Sequence, residues 1–170
     1  MADKPSYIGL LNAIAVGEMA AGTAFDEWAE NTTDKRFQKT LRLVAMRESE
    51  HGLAFSKRLM ELGYDVRQPD HDAGAELRKV ISSNRSDASK LRALKFHRAP
   101  GGPDVFDSMF QDKTLDPVTG GLLGRYIAEE RDTGWKLKAE YDRINAREQK
   151  AKERAAARAK ARPKTKAKSK

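Results

Sequence analysis

Three residues on two neighbouring stretches combine side-chain types that bind metal ions. Glu48 and His51 lie three residues apart in the run Arg-Glu-Ser-Glu-His-Gly, and Glu18 precedes Glu48 by 30 residues. Residues three apart on an α-helix share one face, so a single turn would present a carboxylate and an imidazole together. With a second carboxylate opposite them, this donor set suits iron or manganese.

These polar residues fall on helical faces that are otherwise apolar. The face that carries Glu48 and His51 also carries Phe37, Leu41, Val44, Phe55 and Leu62, with Leu59 beside it. The face that carries Glu18 also carries Leu11, Ile14, Ala21, Phe25 and Trp28. Phe25, Trp28 and Phe55 are predicted core residues. An unpaired charge inside a helical bundle is strongly unfavourable, so the charged residues on these faces need a partner or a ligand.

The spacing also predicts that the two faces meet. Helices are predicted over residues 6–30 and 34–62, joined by the polar turn 30–35, with Thr33 or Asp34 as a cap. Glu18 and Glu48 each lie about 15 residues from the centre of this turn, or about 22 Å at 1.5 Å per residue. An antiparallel hairpin would therefore set them side by side.

The remaining sequence predicts shorter helices followed by one long helix. Gly63 ends the second helix, 64–72 is a linker, and weaker helical patterns cover 77–81, 87–94 and 105–110. A long helix is predicted from Pro117 or Thr119, with Glu130 on an otherwise apolar face: Leu123, Ile127, Gly134, Leu137, Tyr141 and Ile144. Helical propensity continues to Arg162, and Pro163 ends it. We expect an all-α bundle domain over 1–145 and a Lys/Arg-rich tail over 146–170, part helical and part disordered.

The net charge of the chain resides in this tail. Residues 146–170 contain eleven Lys or Arg and two Glu, whereas the remainder contains 22 basic and 23 acidic residues. Such a tail can neutralise nucleic-acid phosphates without reading bases, so non-specific DNA or RNA is an expected partner. The candidate contacts are Lys150, Lys152, Arg154, Arg158, Lys160, Arg162, Lys164, Lys166, Lys168 and Lys170.

Composition excludes several other functions. The chain has no cysteine, which rules out disulfides, thiolate metal sites and cysteine nucleophiles. No stretch is expected to be long and apolar enough to cross a bilayer. The apolar run 7–16 lacks the positive flank of a signal peptide. A cytoplasmic protein with no membrane partner is the simplest expectation.

The ligand pattern resembles the ferritin-like superfamily, in particular its rubrerythrin-type members. That family is a four-helix bundle with a dimetal centre, built from one Glu on each of two helices and a Glu-x-x-His on each of the other two. Glu18 and Glu48-Ser-Glu-His51 match this motif, and Glu130 matches it in part, because Thr133 stands where the family has His. Other candidates on the long helix and the third helix are Glu129, Asp132, Asp87 and Asp107.

The resemblance implies a ferritin-like antiparallel bundle with an irregular middle segment, binding one or two iron ions, or manganese. The implied activity is that of a di-iron oxidoreductase, which oxidises ferrous iron or reduces peroxide. Tyr126, one turn from Glu130, would line the pocket, and no catalytic residue is assigned. The family is often dimeric or larger, so a second copy of the chain is a further expected partner.

The sequence leaves a second interpretation open. His51 and Glu18 could form a buried salt bridge in a bundle whose metal site has degenerated. The protein would then act without catalysis, associating with nucleic acid through its tail. His71 and His97 fall in linkers and are predicted at the surface under both interpretations.

Overall fold

The computed structural model describes residues 5–101 and 109–161. It contains the helices α1 (Ile8–Asn31), α2 (Lys35–Glu61), α3 (Ala75–Ile81), α4 (Asp87–Ala93) and α5 (Pro117–Ala161), with a short 3-10 helix at Met109–Gln111. No strand occurs in these two ranges. The all-helical prediction is therefore confirmed for the described residues, whereas the ferritin-like arrangement stays a prediction.

The α1–α2 hairpin forms where the sequence predicts it. Asp34 caps α2 by accepting hydrogen bonds from the backbone N–H groups of Arg36 and Phe37, each at 3.1 Å. At the other end, Gly63 adopts a positive φ of 83°, and the Tyr64 N–H bonds the Leu59 carbonyl at 2.9 Å. This is the glycine-terminated helix end that the sequence indicates.

Close approach of α1 and α2 depends on small residues. A Cβ built on Gly22 would lie 2.3 Å from Ser49 Oγ and 3.1 Å from both the Ala45 carbonyl oxygen and the Ser49 nitrogen. Rotation of the Ser49 side chain alone would not relieve this overlap, because the other two neighbours are backbone atoms. The glycine thus fixes how closely the two helices pack near the predicted ligands.

The middle of the chain supplies two short helices where a four-helix bundle would have a long one. α3 packs on α1, α4 packs on α5, and α3 and α4 contact each other. Ser86 caps α4 through a bond from Ser89 N, as its sequence indicates. The predicted helix over 105–110 lies mostly outside the described residues, and so does Asp107.

α5 is a single helix of 45 residues. Asp116 begins it by accepting hydrogen bonds from the backbone of Val118 and Thr119, with Pro117 at the first helical position. The helix continues through the first part of the tail, as its alanine-rich sequence predicts. Tail residues 162–170 lie outside the described residues.

The expectation that no stretch of the chain is long and apolar enough to cross a bilayer is wrong. α1 is long and apolar enough to cross a membrane, since alternating small and aliphatic residues raise its mean hydropathy. However, 44% of its most apolar window is buried inside the bundle, and core helices pass the same test. It therefore gives weak support to a membrane partner.

Candidate metal centre

The interior contains two apolar clusters with a polar layer between them. The first includes Trp28, Phe37 and Leu41 near the α1–α2 turn, and the second includes Leu11, Phe55 and Leu123 at the opposite end. Glu18, Glu48, His51 and Glu130 all fall between these two sets in sequence. The three long helices thus hold charged side chains in a layer bounded by apolar packing above and below.

The four predicted ligands lie together. One donor atom from each of Glu18, Glu48, His51 and Glu130 lies within 4.8 Å of the other three. Oxygen and nitrogen ligands of a transition metal stand about 2.0–2.2 Å from the ion, so opposing donors are about 4.2 Å apart. Adjacent donors stand closer, about 3 Å apart, so the four side chains would have to move inward by up to roughly 1 Å to ligate one ion.

The orientation of His51 is fixed from outside the cluster. Its Nε2 lies 2.7 Å from Glu129 Oε2, and an ionised carboxylate can only accept, so Nε2 carries the proton of this bond. Its Nδ1 points inward, 3.9 Å from Glu18 Oε2 and 3.6 Å from Glu130 Oε1. A carboxylate that orients the far nitrogen of a histidine is a common accompaniment of metal-ligating imidazole.

Three polar atoms of the cluster are buried without a hydrogen-bond partner: Glu18 Oε2, His51 Nδ1 and Glu130 Oε1. Buried polar groups in folded proteins are nearly always paired, because an unpaired one loses its hydration without compensation. All three atoms converge on the same space, which is lined by acceptors. A cation there would satisfy them together.

Electrostatics within the cluster agree with this description. Burial, reinforced by Glu18 and Glu130, raises the pKa of Glu48 to about 11. Burial and the charge of Glu18 raise the pKa of Glu130 to about 7. Burial opposes ionisation of Glu18, but the neighbouring side chains of His51, Glu48 and Tyr126 outweigh it and lower the pKa of Glu18. Too many carboxylates share one interior site for all to ionise without a cation.

His51 and Tyr126 complete the polar layer. Burial would lower the pKa of His51, but Glu18 and Glu129 outweigh it and raise the pKa. Tyr126 donates a hydrogen bond to Glu18 Oε1 at 2.8 Å, and burial together with Glu18 raises its pKa. Its ring also meets His51 edge-on, with centroids 5.0 Å apart. Tyr126 therefore lines the pocket as a protonated donor.

Arg47 and Thr133 stand on the side where the family motif has a second histidine. Arg47 Nη1 donates to Asp132 Oδ2 at 2.6 Å and to Thr133 Oγ1 at 3.2 Å. The charge of Arg47 also opposes the rise in the pKa of both Glu48 and Glu130. A guanidinium thus supplies positive charge beside the cluster, where the motif would place another ligand.

The cluster opens to solvent on the α5 side. Glu48 and His51 are buried, whereas the side chain of Glu130 is 36% exposed and that of Glu129 is 27% exposed. The exposed pair Arg125 and Glu50 lies next to Glu129, with Arg125 Nε 3.1 Å from Glu129 Oε1. A cation could therefore enter past Glu129 and Glu130 without opening the hairpin.

Other predicted ligands lie elsewhere. Asp87 accepts hydrogen bonds from Trp28 Nε1 at 2.8 Å and Thr32 Oγ1 at 2.6 Å, so it braces the α1–α4 packing instead. His71 is exposed, as predicted. His97 is not a free surface residue, because it is half-buried with its ring 5.9 Å from that of Tyr141.

Two contributors were not assigned from the sequence as the structure shows them. The sequence predicts Glu129 only as an alternative to Glu130, yet the two carboxylates lie on opposite sides of His51. The sequence predicts no role for Arg47, which immediately precedes Glu48. The sequence signal that points to Glu129 is the pair of adjacent carboxylates, Glu129 and Glu130, on a helix that faces a single histidine. Nothing in the sequence indicates the reach of Arg47 to Thr133.

The described part of the tail forms a basic helix face. Arg143, Arg147, Lys150 and Arg154 line one groove on α5, and Arg158 continues the same face. Asp34 pairs with the first two, at 2.9 Å from Arg143 Nη2 and 2.8 Å from Arg147 Nη1. Of the predicted tail contacts, Lys150 and Arg154 lie in this groove, and Lys152 and Lys160 lie on other faces. Arg162, Lys164, Lys166, Lys168 and Lys170 fall outside the described residues.

The fold and the cluster define a helical protein with a buried carboxylate–histidine site. Comparisons with protein-family models, with curated proteins and with solved structures found no match for this chain.

Proposed function

We propose that the protein binds a divalent transition-metal ion, iron or manganese, through Glu18, Glu48, His51 and Glu130. The observation that carries this proposal is the convergence of three unpaired buried atoms from three helices on one small space. Three carboxylates and one imidazole are a hard donor set, which favours iron and manganese. Such a cluster would be costly to maintain as a purely structural feature.

The surrounding residues suit this function. Glu129 holds the His51 ring with Nδ1 inward, and Tyr126 holds Glu18 through its hydroxyl. The two apolar clusters exclude water from above and below. A bound iron ion would supply one-electron chemistry, and the activity we propose is oxidation of ferrous iron or reduction of peroxide, as in the ferritin-like proteins the motif resembles.

The metal proposal is tested by metal analysis of purified, chelator-treated protein reloaded with Fe(II) or Mn(II). We expect at least one equivalent per chain, lost in the double variant Glu48→Gln, His51→Ala. Glu27→Gln is the matched control, since it removes an exposed carboxylate from α1 and should retain the metal. If the double variant binds as much metal as the control, the proposal is wrong.

The redox activity needs its own test. Ferrous iron is supplied with oxygen or hydrogen peroxide, and formation of ferric iron is followed by absorbance. We expect the protein to accelerate oxidation above the buffer rate and the double variant to lose the acceleration. Equal rates of oxidation with protein and with buffer alone would contradict the proposed redox activity but not the proposed metal binding.

The basic face of α5 favours a second function, non-specific nucleic-acid binding. Arg147, Lys150, Arg154 and Arg158 follow one another at spacings of three and four residues, so their charges point to one side of a projecting helix. This arrangement presents a row of cations to a phosphate backbone. Each phosphate contact on duplex DNA should contribute a salt slope of about −0.9.

Charge-matched variants distinguish a binding face from bulk charge. Arg154→Ala with Arg158→Ala should weaken duplex binding and flatten its salt dependence by about two contacts. Lys152→Ala with Lys160→Ala removes the same charge from other faces and should have the smaller effect. Equal losses would mean that only net charge matters. Truncation after Ile144 removes the whole tail and should abolish duplex binding. Unchanged affinity would show that the tail is not the nucleic-acid-binding segment.

A further inference from the structure

Arg47 places a fixed positive charge beside the candidate metal centre. It lies four residues before His51 and therefore on the same side of α2, toward α5. Its Nη1 donates to Asp132 Oδ2 at 2.6 Å and to Thr133 Oγ1 at 3.2 Å. Thr133 is buried and lies one turn after Glu130 on α5. The guanidinium is thus held between α2 and α5, one helical turn from a proposed ligand.

The ion pair with Asp132 does not neutralise Arg47. Lys136 Nζ lies 3.2 Å from the same Asp132 oxygen that accepts the bond from Arg47, so two cations share one carboxylate. The side chain of Asp132 is 46% exposed, whereas that of Arg47 is 22% exposed. Water screens the charge of the carboxylate more than that of the guanidinium. A net positive charge therefore remains, and it opposes the rise in the pKa of Glu48 and Glu130.

The structure offers space for one ion. The unpaired buried atoms that converge belong to Glu18, His51 and Glu130. In centres with two metals the ions stand about 3.5–4 Å apart and share ligands. A second ion would have to share Glu48 and Glu130 with the first. Those are the two carboxylates on which the charge of Arg47 already acts.

A second ion would also lack ligands of its own. The hydroxyl of Thr133 already accepts a hydrogen bond from Arg47. Asp87 on α4 accepts hydrogen bonds from two other side chains, and Glu76 on α3 is 89% exposed. In the part of the chain that the structure describes, one group of three or more candidate ligands lies close enough to hold an ion, and it consists of Glu18, Glu48, His51 and Glu130.

Charge balance favours the same stoichiometry. When they bind a metal ion, Glu18, Glu48 and Glu130 carry three negative charges. One divalent ion together with Arg47 supplies three positive charges. A second divalent ion would add two positive charges that no carboxylate of the cluster balances, in an interior that screens charge poorly.

We infer that Arg47 takes the place of a second metal ion, so that the centre holds a single divalent ion beside a built-in guanidinium. This inference rests on the proposed metal binding, and it departs from the dimetal centre that the motif resemblance implies. Any second ion should bind at least about 100-fold more weakly than the first.

The stoichiometry is measured on the full chain, treated with chelator and titrated with Mn(II). Equilibrium dialysis with metal analysis counts the bound ions, and electron paramagnetic resonance distinguishes an isolated Mn(II) ion from a spin-coupled pair. We expect the wild type to bind about one equivalent with the spectrum of an isolated ion. Two tight equivalents with a coupled spectrum would overturn the inference and leave the proposed metal binding in place. No bound Mn(II) would contradict the proposed metal binding itself, and the inference with it.

Two double variants test the role of the guanidinium charge. Arg47→Met with Thr133→His removes the cation and supplies an imidazole, so a second equivalent and a coupled spectrum are expected. Arg47→Lys with Thr133→His supplies the same imidazole but keeps a positive charge, and should stay at one equivalent. Arg36→Met is a further control, because it removes an arginine of α2 that pairs with Glu140 on α5, and it should also stay at one equivalent.

Two results from these variants would overturn the inference. A second tight ion in Arg47→Lys with Thr133→His would show that the missing histidine, and not the positive charge, limits the wild type to one ion. A single ion in Arg47→Met with Thr133→His would show that Arg47 does not occupy the place of a second ion. Circular dichroism checks that each variant folds. Arg47→Gln with Thr133→His also removes the charge and replaces the Met variant if that one is unfolded.

Discussion

Replacing Glu48 by Gln should stabilise the metal-free protein while abolishing its response to metal. Burial and the neighbouring carboxylates raise the pKa of Glu48 to about 11, from an ordinary value of 4.5. At pH 7 the folded protein must therefore keep a proton that the unfolded chain releases. Each pH unit of this mismatch costs about 1.4 kcal/mol, so the penalty at pH 7 is about 3 kcal/mol.

The sign and pH range follow from the direction of the shift. Because the folded pKa is raised, the penalty is absent below about pH 4 and grows as the pH rises toward the folded value. Glutamine has the shape of the protonated side chain and takes up no proton. We expect Glu48→Gln to gain about 2 kcal/mol at pH 7 after allowing for imperfect amide hydrogen bonds. The gain should increase as the pH rises from 5 to 8, by roughly 1 kcal/mol per pH unit.

The assay is urea unfolding with chelator at pH 5 and pH 8, repeated with saturating metal. Metal at 100 times its dissociation constant should stabilise the wild type by about 2.7 kcal/mol and the variant by far less. Glu27→Gln, on the exposed side of α1, should behave as the wild type in both conditions. The reasoning would be refuted if Glu48→Gln were less stable than the wild type in chelator at pH 8. It would also be refuted if the difference in unfolding free energy between the two proteins did not change with pH.

Three further variants probe neighbouring contacts by unfolding in chelator. Tyr126→Phe should destabilise the protein by about 1–2 kcal/mol, opposite in sign to Glu48→Gln, because a buried carboxylate loses its donor; greater stability would contradict this. Gly22→Ala should cost about 1–3 kcal/mol, because its new methyl group meets the backbone of Ser49; an unchanged midpoint would show that the helices shift freely. Asp116→Asn should matter most at neutral pH. Burial raises the pKa of Asp116, but Thr119 and Arg58 outweigh it and lower the pKa. Its stabilisation is thus present above about pH 4 and lost as the pH falls further. If Asp116→Asn were destabilised as much in acid as at neutral pH, this explanation of the role of Asp116 would be wrong.

Much of the candidate site was predictable because two independent periodicities agree. The 3.6-residue repeat places Glu48 and His51 on one face, and the position of the turn sets the depth of Glu18 on the facing helix. Both depend only on local geometry, which a single sequence contains. The hairpin caps at Asp34 and Gly63 were predictable for the same reason.

The position of α5 could not be obtained in this way. A long linker separates it from the hairpin, so no loop length fixes its depth or rotation. Glu129 and Glu130 are about 100° apart on the helix, and the sequence permits either one to face inward. The structure uses both, on the two sides of the imidazole. The contact of Arg47 with Thr133 could not be predicted either, because the direction of a long side chain depends on the residues that surround it in the fold.

The distances favour a cation over the buried salt bridge. A protonated His51 would carry a hydrogen on Nδ1, yet its nearest acceptors there are Glu130 at 3.6 Å and Glu18 at 3.9 Å, beyond hydrogen-bond range. A neutral His51 would direct a lone pair at the same two carboxylates. Either state leaves buried atoms uncompensated, and a protonated Glu48 relieves only part of the repulsion. One divalent ion would satisfy the inward atoms of Glu18, His51 and Glu130 together, which a salt bridge between His51 and Glu18 alone would not do.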